Sequence, residues 1–364
     1  MKKNECIAFT GGGTAGHIFP GLAVAEILKK DLSCRMIWIG SRDKKEKNWL
    51  KGTGVKYYSI FCGKWRRYFS LKNILDIVKI FIGSIQAFLC LLKEKPKILF
   101  SKGGYVSVTP VLAARLLGIT IFTHESDLDP GIATKINALS AYKILTSFDN
   151  TIKYFPIKYR NKVIFTGNPV REGILKGNPD EGKKIIGCNN NKPVLLILGG
   201  SLGARSLNTY ITKIVGILVK KYFVVHQMGM SNYMKSNVKD YYTVPFFTTE
   251  LSHVFAASSL VISRAGANTL SELAVLGKPA ILVPLSALFS RGDQIRNAGF
   301  FSDKGSAVIF KENENSETEL LEIISKLLDN KKMLKAMEEQ MLLLGRPKAA
   351  QNIAQLIKKE IYGV

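Results

Sequence analysis

Histidine, tryptophan, cysteine and acidic side chains are all scarce in this chain, with four His, three Trp, five Cys and 28 Asp plus Glu among 364 residues. The cysteines, Cys6, Cys34, Cys62, Cys90 and Cys188, are widely spaced, odd in number and without a C-x-x-C pair. That pattern argues against a disulfide framework or a cysteine-ligated zinc site, and reads as reduced thiols. No uninterrupted apolar run reaches the ~20 residues of a membrane span. The most apolar stretch, 71–92, is broken by Asp76, Lys79 and Gln86, which suits a crossover helix with an exposed interfacial edge; a wholly buried helix beside a basic loop is the alternative. The start, Met1-Lys2-Lys3-Asn4-Glu5, leads into too few apolar residues for a secretory signal, so a cytosolic location is expected. Acids are outnumbered by 52 Lys plus Arg, a net charge of +24, which points to an anionic surface or substrate as partner. Nucleic acid is disfavoured, because the charges are spread along the chain and no zinc-finger spacing, RNP-like run or basic heptad region occurs.

Glycine, by contrast, is placed with purpose. Gly11-Gly12-Gly13-Thr14-Ala15-Gly16 and Gly199-Gly200-Ser201-Leu202-Gly203-Ala204 each follow a short apolar run, 6–10 and 194–198. A strand entering a glycine-rich turn and then a helix brings backbone N–H groups close to a phosphate, with the helix dipole favouring the anion. Further apolar runs at 35–40, 97–101, 119–123 and 143–146, and again at 222–228, 260–263 and 280–284, alternate with helical patterns. Alternation of this kind predicts an α/β fold with two Rossmann-like, doubly wound parallel-sheet domains, and a length of 364 residues agrees with two cores. The expected domains are 1–167 and 168–346, joined at Thr166-Gly167-Asn168-Pro169, with a helix over 347–364 crossing back to the first. Ligands of such sheets sit beyond the strand carboxyl ends, so the site is expected in a cleft which the two domains face.

From Gly12 to Ala25 (Gly12-Gly13-Thr14-Ala15-Gly16-His17-Ile18-Phe19-Pro20) the sequence resembles the MurG family, bacterial N-acetylglucosaminyltransferases that convert lipid I to lipid II at the inner face of the cytoplasmic membrane. Matching motifs follow in order: Lys102-Gly103-Gly104-Tyr105, His124-Glu125, Thr166 to Arg171, the second glycine turn, Arg264-Ala265-Gly266-Ala267-Asn268-Thr269-Leu270-Ser271-Glu272 and Asp293-Gln294. No single glycine turn is specific, but the ordered set spans nearly the whole chain. The resemblance implies a GT-B glycosyltransferase without cofactor, with UDP-N-acetylglucosamine held mainly by the second domain and lipid I by the first.

His17 is the candidate general base. It precedes Pro20, a residue suited to a helix start, and a helix N-terminus disfavours the imidazolium, as a base requires. A ring that merely bonds the turn is the plain alternative, and His124 or Glu125 is the rival base. Thr14, Ala15 and Gly16 would offer amides and a hydroxyl to the donor, Ser201 a hydroxyl to a phosphate oxygen, and Arg171 a bidentate charge to the diphosphate. Glu272 takes the ribose hydroxyls by family position, although Thr269 to Glu272 also spells a helix capping box. Gln294 matches a donor contact, and Phe247 falls where the family packs a residue against uracil. Asp127-Leu128-Asp129 spells D-x-D but is read as coincidence, so no metal site is expected. The chain departs from the usual His-Glu-Gln-Asn by reading His124-Glu125-Ser126-Asp127. Trp65, Arg66, Arg67 and Phe69 are expected to contribute to contact with an anionic membrane surface. Other readings are transfer to a different lipid, a UDP-N-acetylglucosamine epimerase, or a dinucleotide oxidoreductase or nucleotide-binding protein; against the last, no acid ends the second strand.

Overall fold

Apolar runs too short for helices become central strands. The computed structural model describes residues 5–32, 34–63, 72–200, 203–287, 290–312 and 316–363, with side chains from residue 76 onward in the third segment. The chain divides into two compact units, one of residues up to Arg171 together with those from Pro347 onward, the other Glu172–Arg346. Segment 166–171 stays with the first unit for a local reason: Thr166 N and Gly167 N both donate to Thr146 O at 3.1 Å, and the Gly167 carbonyl is held by His124.

In the first unit the strands are β1 (Cys6–Thr10), β2 (Arg35–Gly40), β3 (Lys56–Ser59), β4 (Ile98–Ser101), β5 (Thr120–Glu125), β6 (Lys143–Thr146) and β7 (Val163–Phe165). They form one parallel sheet ordered β3-β2-β1-β4-β5-β6-β7. The order reverses direction between β1 and β4, and at such a switch point the loops leave on opposite faces and open a crevice at the carboxyl ends. Phe9 on β1 stacks on Trp38 and meets Phe100 edge-on, each at 5.8 Å between ring centroids. Helix Ala349–Tyr362 belongs here: Ala350, Ile353, Ala354 and Ile357 pack with Val24, Leu28 and Phe9 in one cluster.

The second unit repeats the plan with β8 (Val194–Leu198), β9 (Phe223–Gln227), β10 (Tyr241–Val244), β11 (Leu260–Ser263), β12 (Ala280–Leu282) and β13 (Ala307–Ile309). All are parallel, ordered β10-β9-β8-β11-β12-β13, with the reversal between β8 and β11.

Helix Lys72–Glu94 of the first unit is amphipathic in an unusual direction. One side buries Ala87, Cys90 and Leu91, while Ile77, Val78, Phe81, Ile85, Leu89 and Leu92 are exposed, Phe81 by 67%. No helix among the described residues is long and apolar enough to cross a membrane. Trp65, Arg66, Arg67 and Phe69 lie outside the described residues.

Candidate active site

The first glycine turn leaves β1 at the switch point. Residues Ala15–His17 make a 3-10 turn, closed by His17 N on Thr14 O and Ile18 N on Ala15 O, each 3.1 Å. Helix Phe19–Asp31 follows, with Pro20 in its first turn where no N–H is missed. Thr14 is exposed and Ala15, Gly16 and His17 half-buried, so the four form the rim of the turn. His17 Nδ1 lies 3.2 Å from Lys102 O; a carbonyl only accepts, so Nδ1 carries the hydrogen and Nε2 is the basic nitrogen of the neutral ring. The loop after β4 must come close to permit this. Gly104, at φ +77°, has room for no side chain, since a Cβ would stand 2.9 Å from Gly12 O and from His17 Cδ2. Arg171 joins the same place, its guanidinium 4.9 Å from the Phe19 ring centroid.

Behind His17 lies a buried polar cluster. Lys102 is 1% exposed; its Nζ donates to His124 Nδ1 at 2.9 Å and to Ser126 Oγ. Burial pulls its pKa down to about 8, against the opposing pull of Glu125 and Asp127. His124 donates from Nε2 to Gly167 O at 2.9 Å, and burial, aided by the Lys102 charge, holds its pKa well below the ordinary value. Both nitrogens are engaged and the ring is wholly buried. Glu125 is similarly committed: Oε1 accepts from Asp127 N at 2.9 Å and Oε2 from Gly131 N at 3.0 Å. These bonds make Glu125 a clamp on the loop after β5, so of the three sequence candidates for the base, His17 is the one that stands on a rim. In the D-x-D stretch Asp129 pairs with Lys135 at 3.5 Å, and no metal-holding group of three His, Cys, Asp or Glu occurs among the described residues.

In the second unit the turn after β8 closes by Gly203 N on Gly200 O at 3.2 Å. Ser201 lies outside the described residues. Across the switch point, Gly266 caps helix Ala267–Leu276, a ten-residue helix whose N-terminus favours an anion. Because the helix begins at Ala267, Thr269 is already in its first turn and the Thr269 to Glu272 capping box does not form; Glu272 stands half-buried further along. Arg264 is used internally: its guanidinium grips both Glu312 carboxylate oxygens at 2.8 and 3.2 Å, Val283 O at 3.0 Å and Ser206 Oγ at 2.8 Å. Gln294 Oε1 accepts from Leu285 N at 3.1 Å. Phe247, expected against uracil, lies in the interior of the second unit. It is 3% exposed and its ring stacks on Tyr242 at 6.3 Å, whereas its neighbour Phe246 is 39% exposed.

Comparison with known proteins decides the family. The N-terminal domain of glycosyltransferase family 28 matches residues 7–146 and its C-terminal domain residues 194–357. A relative from Treponema denticola, a UDP-N-acetylglucosamine--N-acetylmuramyl-(pentapeptide) pyrophosphoryl-undecaprenol N-acetylglucosamine transferase, is 47% identical over 326 residues, 84% of this chain and 83% of its own. The chain belongs to the MurG family. The crystal structure of Acinetobacter baumannii MurG superposes with a TM-score of 0.75 at 26% identity, covering 98% of this chain and 99% of its own. A UDP-GlcNAc 2-epimerase from Neisseria meningitidis, bound to UDP-GlcNAc, shares the fold alone, at TM-score 0.68 and 15% identity over 98% of this chain and all of its own. The two sheets are thus those of a GT-B glycosyltransferase.

Seen as a MurG-family site, the structure brings Thr14, Ala15, Gly16, His17 and Arg171 together on the first unit, and places Glu272 and Gln294 on helices that begin at strand carboxyl ends of the second. Three residues escaped sequence reasoning: Lys102, Ser126 and Glu46. Lys102 stood in a motif quoted for its glycines. Glu46 sits in Lys44-Lys45-Glu46-Lys47, which looks like a solvated charge run, yet it is 1% exposed. Its signal was Asp43, whose side chain accepts from Lys45 N and starts the helix Lys44–Trp49 one turn before the glutamate.

Proposed function

We propose that this MurG-family chain transfers N-acetylglucosamine from UDP-N-acetylglucosamine to the C4 hydroxyl of the MurNAc residue of lipid I, forming lipid II. The observation carrying the reading is the His17 tautomer: a half-buried imidazole with Nδ1–H tied to Lys102 O and Nε2 as its basic nitrogen, at the switch point of the first sheet. His17 Nε2 takes the C4 hydroxyl proton as that oxygen attacks the anomeric carbon. The bond from that carbon to the β-phosphate oxygen breaks, UDP leaves with the electron pair, and the α-linked donor gives a β-1,4 link. Charge developing on UDP is stabilised by the helix N-terminus at Gly266, the Ser201 hydroxyl and Arg171. Glu272 accepts hydrogen bonds from the ribose hydroxyls, Gln294 donates to the sugar, and Thr14, Ala15 and Gly16 present small, close backbone to it.

Lipid I is a pyrophosphate anchored in an anionic bilayer, and the exposed apolar side of helix Lys72–Glu94 suits adsorption there at the cytoplasmic face. With a net charge of +24, basic residues near the surface add about 1 kcal/mol each. The test is UDP release from UDP-N-acetylglucosamine with a short-chain lipid I analogue, in the wild type and in His17→Ala. Acceptor-dependent release that falls by about 10²–10⁴ in the variant, with UDP affinity unchanged, supports the reading. Release without acceptor refutes it in favour of an epimerase or hydrolase.

A further inference from the structure

Glu46 lies beneath the first glycine turn without belonging to it. Its Oε1 accepts from Gly13 N at 2.6 Å and its Oε2 from Ser41 N at 2.9 Å, while the Tyr57 hydroxyl stands 3.0 Å from Oε2 and 2.5 Å from Ser41 O. Among the described residues the polar partners of this buried carboxylate are two backbone amides and one phenol. Burial, with Glu46 adding to it, pushes the Tyr57 phenol far up, so the phenol is a proton donor at every working pH. The fit is close on all sides: a Cβ on Gly12 would lie 2.7 Å from both Glu46 oxygens, and one on Gly13 would lie 2.6 Å from the Tyr105 ring.

The consequence lies in which way the amides point. In a dinucleotide fold the second glycine of the turn lets the backbone approach a pyrophosphate. In this chain that glycine is Gly13, and its N–H is turned inward onto a carboxylate. The turn therefore has a fixed inner end at Gly13 and a fixed outer end at His17, whose Nδ1 is held by Lys102 O. Residues 14–16 lie between two anchors. Only glutamate fits the inner one: aspartate is a methylene short, and glutamine supplies one oxygen but sets an NH2 group against the other amide.

The geometry points to Glu46 as a positioning residue for the transfer, one that draws the Gly13 amide inward and so sets residues 14–17, and with them His17 Nε2, for the acceptor. This rests on His17 acting as the base. The experiment compares full-length wild type, Glu46→Gln and Glu46→Ala by steady-state kinetics, UDP binding and amide hydrogen exchange. Both variants are expected to lose at least tenfold in kcat, with KM for UDP-N-acetylglucosamine and UDP affinity within twofold of wild type, and to speed exchange at 11–18 at least tenfold while β4 and β5 exchange as before. Unchanged exchange at 11–18 and unchanged kcat would overturn the proposal. Exchange rising throughout the first unit in step with lost turnover would also overturn it, by showing a role in folding alone. Should the wild type fail to glycosylate the lipid I analogue, the functional reading falls, and local exchange at 11–18 still decides whether Glu46 holds the turn.

Discussion

Replacing Lys102 by Met tests whether a charge is really buried behind His17. Burial lowers the Lys102 pKa from 10.5 to about 8, and each unit is worth about 1.4 kcal/mol. Below pH 8 the folded protein therefore bears a cost of about 3 kcal/mol for holding the ammonium away from water. Between pH 8 and 10.5 the unfolded chain binds the extra proton, so this cost is relieved and wild-type stability rises with pH. Lys102→Met removes the cost but leaves His124 Nδ1 and Ser126 Oγ without their donor, at about 1–3 kcal/mol each. Near pH 7 the two changes roughly offset. The wild-type minus variant difference should then climb by about 3 kcal/mol from pH 8 to 10.5, while cysteines and tyrosines titrate alike in both proteins and cancel. The assay is urea unfolding followed by tryptophan fluorescence, which reports the first unit because Trp38, Trp49 and Trp65 all precede Arg171. A difference that stays flat from pH 7 to 10.5 would refute the buried charge.

Glu312→Ala should leave the Arg264 guanidinium, 12% exposed, as an uncompensated charge, at about 3 kcal/mol. Amide exchange in β11 and β12 should accelerate about a hundredfold, and exchange within threefold of wild type would show that the pair contributes little. Phe81→Ser with Leu89→Ser removes two exposed apolar side chains from helix Lys72–Glu94. Sedimentation with anionic vesicles should weaken at least tenfold, given about 1.5–3 kcal/mol for each buried side chain of this size, while turnover on a water-soluble short-chain acceptor stays as in wild type. Undiminished sedimentation would show that another surface meets the bilayer.

Nine strands were legible because their apolar runs are central and nearly wholly buried, and their short spacing to glycine turns marked the carboxyl ends. The four that were missed, β3, β7, β10 and β13, are the outer strands of the two sheets. An outer strand has one paired edge and a partly wet face, so its residues alternate less cleanly: Lys56, Tyr57, Tyr58 and Ser59 of β3 are each half-buried or exposed. The glycine turns that carry most of the candidate site were readable, since a strand entering such a turn announces itself in sequence. Site residues carried by burial were not. Glu46 and Lys102 are charged residue types whose ordinary place is the surface, and only the folded chain shows that one faces two amides and the other a histidine. The Thr269 to Glu272 pattern misled for a related reason: a capping box is local, but Gly266 and the end of β11 set where the helix begins.

Helix Ala349–Tyr362 supplies part of the first unit's core although it follows the second unit in the sequence. The second unit is one uninterrupted stretch of chain, Glu172–Arg346, whereas the core of the first is complete only when Ile353, Ala354 and Ile357 have packed against it. The second unit can therefore close its core from contiguous chain, while the first must bring together two segments separated by the whole of the second. The half proposed to seat the lipid is thus closed by the helix Ala349–Tyr362, and a chain cut before Ala349 would carry an open apolar core where that helix belongs.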